Sequence, residues 1–190
     1  MHSKLLLTVA GCLAFVLPAA ANEKSSAYTD LDLAACEQEP LDPDDPLESG
    51  VWWCEGHQGI PVRVSEGDLR FFVSYGEDAA NEKAASETIP AFNNLGPRIE
   101  WRMELGRDDG KWQPFATILR FITDAPETQK KRSYLVVTKL GGPGQICHTA
   151  IIDAIANPDA NEMARGWADE QTAGFVCGSD VVARPGLTAE

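Results

Sequence analysis

The chain has 190 residues and a formal net charge of −13. That balance argues against nucleic acid or an anionic membrane surface as a partner, and it suits a basic protein, an envelope component or plain solubility. The length fits one domain with a sizeable core.

Lys4 opens a segment that is apolar from Leu5 to Pro18 except for Thr8, and Ala19-Ala20-Ala21 offers small residues for cleavage before Asn22. This reads as a secretory signal, too short and wrongly flanked to span a membrane. Residues 1–21 are therefore expected to be a signal, 22–178 a single globular domain and 179–190 a flexible tail. Val9-Ala10-Gly11-Cys12 is a competing lipoprotein-type box that would place a lipid on Cys12. A signal ending there would have a very short apolar core. The expected location is periplasmic or secreted, with no integral membrane span.

Four cysteines follow the signal: Cys36, Cys54, Cys147 and Cys177. An even count in an exported chain reads as two disulfides. Cys36–Cys54 and Cys147–Cys177 are the favoured pairs, because each closes a modest loop within one end of the chain.

Asn22 to Ala27 reads as a frayed leader, and Asp30 as the cap of one helical turn with Leu31, Ala34 and Ala35 inward. Glu37 to Ser49 is rich in Pro and acid. Asp42, Asp44 and Glu48 there carry calcium-type oxygens, but the spacing lacks the Gly and terminal Glu of an EF-hand loop. A solvated loop is the simpler reading.

Val51 to Gly76 is the centre of the pattern. Ile60, Val62 and Val64 alternate with Pro61, Arg63 and Ser65, and Leu69, Phe71, Val73 and Tyr75 alternate with Arg70, Phe72 and Ser74. A period of two predicts half-buried strands, with Glu66-Gly67-Asp68 as the turn between them. The Ala- and Glu-rich stretch that follows predicts a short helix from Ala79 to Thr88, stopped by Pro90. Phe92 and Leu95 anchor the return.

Ile99, Trp101, Met103 and Leu105 then alternate with Glu100, Arg102 and Glu104, which take a polar outer face. Gly106 to Lys111 is a hairpin connection. Pro114 to Thr123 is apolar on both faces, so it is expected to be a central strand covered on both sides. Asp124 to Arg132 reads as a polar loop, with Lys130-Lys131-Arg132 solvated. Ser133 to Leu140 and Gln145 to Ile155 are the last two strands. A long helix is expected from Asn157 as N-cap and Pro158 to about Cys177-Gly178. Ala160, Met163, Ala164, Trp167, Ala168, Gln171 and Phe175 form its stripe, and Arg165–Asp169 its i,i+4 pair. The expected fold is α+β: about seven antiparallel strands in meander order, a short middle helix, and a C-terminal helix packed on the sheet.

Motifs for chemistry are scarce. No Gly-x-Ser-x-Gly elbow, phosphate loop, dinucleotide fingerprint or His-Glu-x-x-His occurs, and nothing in the sequence implies a cofactor. Cys54 with His57, and Cys147 with His148, suggest a thiol nucleophile or a zinc set, yet both need reduced sulfur. Glu100 and Glu104 flank Arg102 with glycosidase-like possibilities, against an ordinary polar face. The residues expected to bind are Trp52, Trp53, Trp112 and His57. On a strand one of the two adjacent tryptophans has to face away from whatever the other packs on.

Ile99-Glu100-Trp101-Arg102, Pro114 to Arg120 and Asn157-Pro158-Asp159-Ala160-Asn161-Glu162 resemble uncharacterised secreted proteins of Gram-negative bacteria, a resemblance that implies no activity. Small acidic periplasmic β proteins with disulfides also include lysozyme inhibitors, which oppose a basic enzyme, but their loop motifs are not matched. The expected function is non-enzymatic binding of another protein or envelope component, an inhibitor being one form of it. The alternative is a cell-envelope hydrolase using carboxylates that no motif reveals.

Overall fold

A computed structural model describes residues 23–41, 49–125 and 130–186. The expected signal, Cys12 and the acidic loop residues Asp42, Asp44 and Glu48 lie outside the described residues. Nine strands form among the described residues: β1 (Lys24–Asp30), β2 (Glu37–Gln38), β3 (Gly50–Glu55), β4 (Pro61–Gly67), β5 (Arg70–Tyr75), β6 (Asn93–Leu105), β7 (Trp112–Ala125), β8 (Lys130–Lys139) and β9 (Cys147–Asp153). One α-helix, α1 (Ala160–Gln171), follows. The expected class, antiparallel strands with a C-terminal helix, is present. The single meander is not: the strands divide into a five-stranded sheet, β1-β6-β7-β8-β9, and a four-stranded sheet, β2-β3-β4-β5.

The layers follow from the alternation along the large sheet. In β6 and β7, Ile99, Trp101, Met103, Leu119 and Phe121 face the small sheet, meeting Val62, Val64, Val73 and Tyr75 in one core. Ala116 and Ile118, with Leu135, Val137, Ala150 and Ile152 of β8 and β9, face α1 through Ala160, Ala164 and Ala168. β7 is the central strand covered on both sides that its sequence predicts. Each fully buried Val, Ile, Leu or Phe contributes about 1.5–3 kcal/mol. Alanines at three successive i,i+4 positions let the helix approach the sheet closely.

Several expected boundaries move. The leader and helical turn become strand β1 and a 3-10 turn at Leu33–Ala35, capped by Asp32 instead of Asp30. β1 pairs antiparallel with β6, Ser26 lying opposite Arg102 and Tyr28 opposite Glu100. The middle helix becomes two 3-10 turns, Ala79–Asn81 and Lys83–Ser86, broken at Glu82. Glu82 is buried, its carboxylate accepting from the amides of Gly144 at 2.8 Å and Ile146 at 3.0 Å. Those tertiary bonds override the helix propensity of the alanines around it. The basic cluster at residues 130–132 begins β8 instead of closing a loop.

The long helix starts two residues later than expected, at Ala160, and ends at Gln171, before a 3-10 turn at Thr172–Gly174. Asn157 is not its cap. The Asn157 amide donates to the Asp153 and Gly186 carbonyls instead, at 2.8 and 3.1 Å. Within the stretch read as a tail, Ala183 returns to the edge of β9. It donates to the Thr149 carbonyl at 3.0 Å and accepts from the Ile151 amide at 2.9 Å.

Both disulfides form in the expected pairing, Cys36–Cys54 and Cys147–Cys177. No helix among the described residues is long and apolar enough to cross a membrane. Both facts are compatible with an extracellular or periplasmic protein.

Candidate functional site

Trp52 and Trp53 point to opposite sides of β3. Trp53 lies on the uncovered face of the small sheet, opposite Glu37 and Arg63, with its indole N–H donating to Glu39 at 2.6 Å. Trp52 faces inward at the edge of the core and tilts against Phe71, ring centroids 6.5 Å apart. Its ring folds back over Gly50, where a Cβ would stand 2.2 Å from the indole. Only glycine allows that approach.

The folded-back indole forms one wall of a recess of about 470 Å³, shared with Glu66, Leu69, Phe71, Phe92, Asn93 and Asn94. The β4–β5 turn forms its lip. Gly67 pairs with Arg70, so Asp68 and Leu69 are the two turn residues. Both take the left-handed conformation, φ 52° and 61°. A two-residue hairpin of this kind prefers Asn-Gly or Asp-Gly. Leu in that well costs about 1–2 kcal/mol relative to the ordinary regions. The sequence placed Leu69 on the buried face of a strand; its side chain is instead 62% exposed. The tight turn sits one residue further along than Glu66-Gly67-Asp68 suggests.

Phe92, expected as an anchor, is 48% exposed on the opposite lip. Buried Asn93 fixes the segment that presents it. The Asn93 side chain accepts from the Phe71 amide at 3.1 Å and donates to the Ile89 and Ala91 carbonyls at 3.2 and 3.0 Å. Its own amide donates to the Leu69 carbonyl at 3.1 Å. Arg70 lies 5.1 Å from the Phe92 ring, donates to the Pro90 carbonyl and pairs with Asp68. The strained turn and the aromatic segment therefore form one braced unit that leaves Leu69 and Phe92 exposed.

His57 and Trp112 lie elsewhere. β4 separates its two turns by about 20 Å at ~3.3 Å per residue. His57 sits in the 3-10 turn His57–Gly59 at the far end, its ring 6.2 Å from the Trp101 ring. Trp112 opens β7, and its carbonyl accepts from the Gln58 side-chain amide at 2.9 Å. Of the four residues expected to bind, Trp52 alone reaches the recess.

The candidate chemical groups are occupied. Each sulfur beside a histidine is in a disulfide, and a disulfide sulfur is not a nucleophile. His148 is buried edge-on to Phe121, and burial lowers its imidazole to about 4. Burial raises the Glu87 carboxyl, partly offset by the His148 amide it accepts at 2.7 Å.

Glu100 and Arg102 are not on a wet outer face. They are buried under α1. Arg165 closes on Glu100 at 2.7 and 3.1 Å, and Arg102 closes on Asp169 at 2.9 and 2.7 Å. Ser26 bridges Arg102 and Glu100. The bond to Glu100 pushes the Arg165 guanidinium further up. Arg165 and Asp169, expected to pair along the helix, each reach down to the sheet instead. Glu100 is thus held by Arg165 and Ser26, and Arg102 by Asp169 and Ser26, so each charge of the cluster has its partner.

No family model, curated protein or solved structure matches the chain.

Proposed function

We propose that this chain is a non-enzymatic binding protein of the periplasm or cell exterior, and that it grips another protein with the recess at the β4–β5 tip. One observation carries the reading. Leu69 is held in a strained left-handed turn with its side chain 62% exposed, at a place where glycine or asparagine would be cheaper. Beside it stand Trp52, Phe71 and the exposed Phe92, a cluster of the kind that anchors interfaces. The rim acid Glu66 and the net charge of −13 select a basic partner that offers an apolar side chain. Blocking a basic enzyme is one use of such a grip.

The test is quantitative capture from cell-envelope extract by the full chain and its Leu69→Gly variant, with Trp53→Ala as control. The wild type and Trp53→Ala should retain the same basic protein, released by salt. Leu69→Gly should lose it about tenfold or more, the ~1.4 kcal/mol of one apolar anchor, while melting within about 2 °C of wild type. Undiminished capture by Leu69→Gly would remove this site.

A further inference from the structure

Among the described residues, one long edge strand is left open. At the β9 edge, Ala183 bonds Thr149 and Ile151, Ala84 donates to the Ile146 carbonyl at 3.0 Å, and the Glu82 and Glu87 carboxylates take the amides of Ile146 and His148. At the β5 edge, the Phe71 amide donates to the Asn93 side chain, and the Phe71 carbonyl accepts from the Thr88 hydroxyl. β2 is only two residues long. The seven residues of β1 are the exception.

β1 pairs with β6 in a regular register, from Lys24 opposite Glu104 to Asp30 opposite Arg98. The bonds that flank this ladder fix its phase. The Leu31 amide donates to the Pro97 carbonyl at 2.9 Å, and the Leu105 amide to the Glu23 carbonyl at 3.0 Å. Odd-numbered residues of the strand therefore bond to β6, and the amides and carbonyls of Lys24, Ser26, Tyr28 and Asp30 point outward from the sheet. No described residue bonds those outward groups. The strand also lacks what usually blunts an edge: it has no proline, no bulge and no charge between its two ends.

The occupant follows from the sequence of the strand. Lys24-Ser25-Ser26-Ala27-Tyr28-Thr29-Asp30 is complementary to its own reverse about Ala27. Lys24 then stands opposite Asp30, Ser25 opposite Thr29, and Ser26 opposite Tyr28. Each outward-bonding residue meets another, as an antiparallel ladder requires, and Ala27 meets its own copy at the close, non-bonded position, where a small side chain fits. A shift of one residue would set outward groups against inward ones, and a shift of two would take Lys24 off Asp30. Lys24 already pairs with Glu104 at 3.1 Å and Asp30 with Arg98 at 3.3 Å, so each end of the ladder would join two cations to two acids. We infer that β1 is a self-association edge, pairing antiparallel with β1 of a second copy about a two-fold axis at Ala27. The two five-stranded sheets become one continuous sheet. That axis is normal to the sheet, so both small sheets lie on the same side of the dimer. One short edge makes the dimer weak and reversible, and none of its residues belongs to the recess.

Sedimentation of the exported chain over a dilution series should show a monomer–dimer equilibrium. On association the Ser26 and Tyr28 amides should exchange more slowly with solvent, while those of Ala27 and Thr29, already bonded to β6, should not change. Asp30→Lys sets a lysine against Lys24 at both ends of the ladder and should weaken dimerisation about tenfold or more. It also moves the net charge of −13 two units toward zero, so general repulsion between copies predicts the opposite result. Lys24→Glu should disrupt as strongly. The Asp30 side chain is 81% exposed and both ion pairs lie at the surface, so the variants should melt close to wild type. Mixed together, Asp30→Lys and Lys24→Glu should form a heterodimer of about wild-type affinity, because opposite charges then face each other at both ends, a rescue that misfolding cannot produce. A wild type that stays monomeric at its highest soluble concentration, unchanged exchange at Ser26 and Tyr28 on association, or an undiminished Asp30→Lys dimer would each overturn the assignment.

Discussion

The two sheets share a core but differ in what covers their other faces. The five-stranded sheet lies between the small sheet and α1, and its β9 edge is paired by Ala183. Its Glu100 and Arg102 are buried and matched by Arg165 and Asp169 of the helix. The four-stranded sheet gives one face to the shared core, and its ends carry Gln58, Asp68 and Leu69 in left-handed backbone. Left-handed backbone at residues other than glycine is confined, among the described residues, to the turns of the small sheet. The contrast separates a platform that carries stability from a smaller sheet that carries presentation.

The first way to break that contrast is to open the buried network. Arg102→Met leaves Asp169 and Glu100 short of a buried cation, and the loss should be about 3 kcal/mol. At ~2–4 °C per kcal/mol for a chain of this size, the melting temperature should fall by about 6–12 °C. Adding Asp169→Leu should recover most of the loss, because removing both partners leaves no orphan charge. Thermal denaturation of the two variants checks this. An unchanged melting temperature in Arg102→Met would mean that the platform does not depend on its charges.

Much of the platform is legible in the sequence, and the reasons are local. The alternation at Ile99, Trp101 and Met103, the doubly apolar Pro114–Thr123 run, and the Ala160-Ala164-Ala168 stripe each mark an element whose faces differ in polarity. β1 is illegible because its inward partners are polar. Ser26 and Tyr28 meet Arg102, Glu100 and Arg165, so Lys24-Ser25-Ser26-Ala27-Tyr28-Thr29-Asp30 shows no apolar period. The division into two sheets is equally hidden. A period of two reports that a strand has a buried face, not which sheet lies beneath it. The recess fails differently. Trp52 is legible as an aromatic, but a turn read at Glu66-Gly67-Asp68 puts Leu69 on the buried face, and Phe92 reads as an apolar anchor. The signal for Leu69 was present: Asp-Gly turns are cheap, and Asp68 is followed by Leu.

The disulfides sharpen the comparison. Replacing either pair by serine should cost about 3 kcal/mol in the loop-closure account. Cys147–Cys177 closes 30 residues and Cys36–Cys54 closes 18, which makes the former stronger by about 0.5 kcal/mol. Function should divide the other way. Cys36–Cys54 pins the small sheet, so its loss should weaken capture at the recess, whereas loss of Cys147–Cys177 should leave capture intact at temperatures where the variant is folded. Equal effects on capture would dissolve the division of labour.

Acid should act on the platform as well. His148 titrates near 4 when folded, against about 6.5 unfolded. The unfolded chain therefore takes up a proton first as pH falls. Stability attributable to His148 is intact above about pH 6.5, declines from there, and is lost by about pH 4, a total of roughly 3 kcal/mol. Glu87, whose carboxyl is raised in the folded state, works in the opposite sense, losing its contribution as pH rises. His148→Gln should flatten the acid limb in urea titrations between pH 4 and 6.5 and leave the recess untouched. A wild-type curve without that limb would place the proton elsewhere.

Leu69→Gly carries the smallest expected change in stability and the most information about the small sheet. Glycine takes φ 61° without penalty and so removes about 1 kcal/mol of backbone strain. Against that stand the extra freedom of an unfolded glycine, about 0.5–1 kcal/mol, and the little burial that a 62% exposed side chain gives up. The terms nearly cancel, so urea midpoints should agree within about 0.5 kcal/mol while capture collapses. Were Leu69 a structural residue, its removal would lower stability and spare binding. Phe92→Ala supplies the same contrast from the opposite lip, because Asn93, not the phenyl ring, holds that segment in place. If both variants keep their partner, the strain at the tip has no role in recognition.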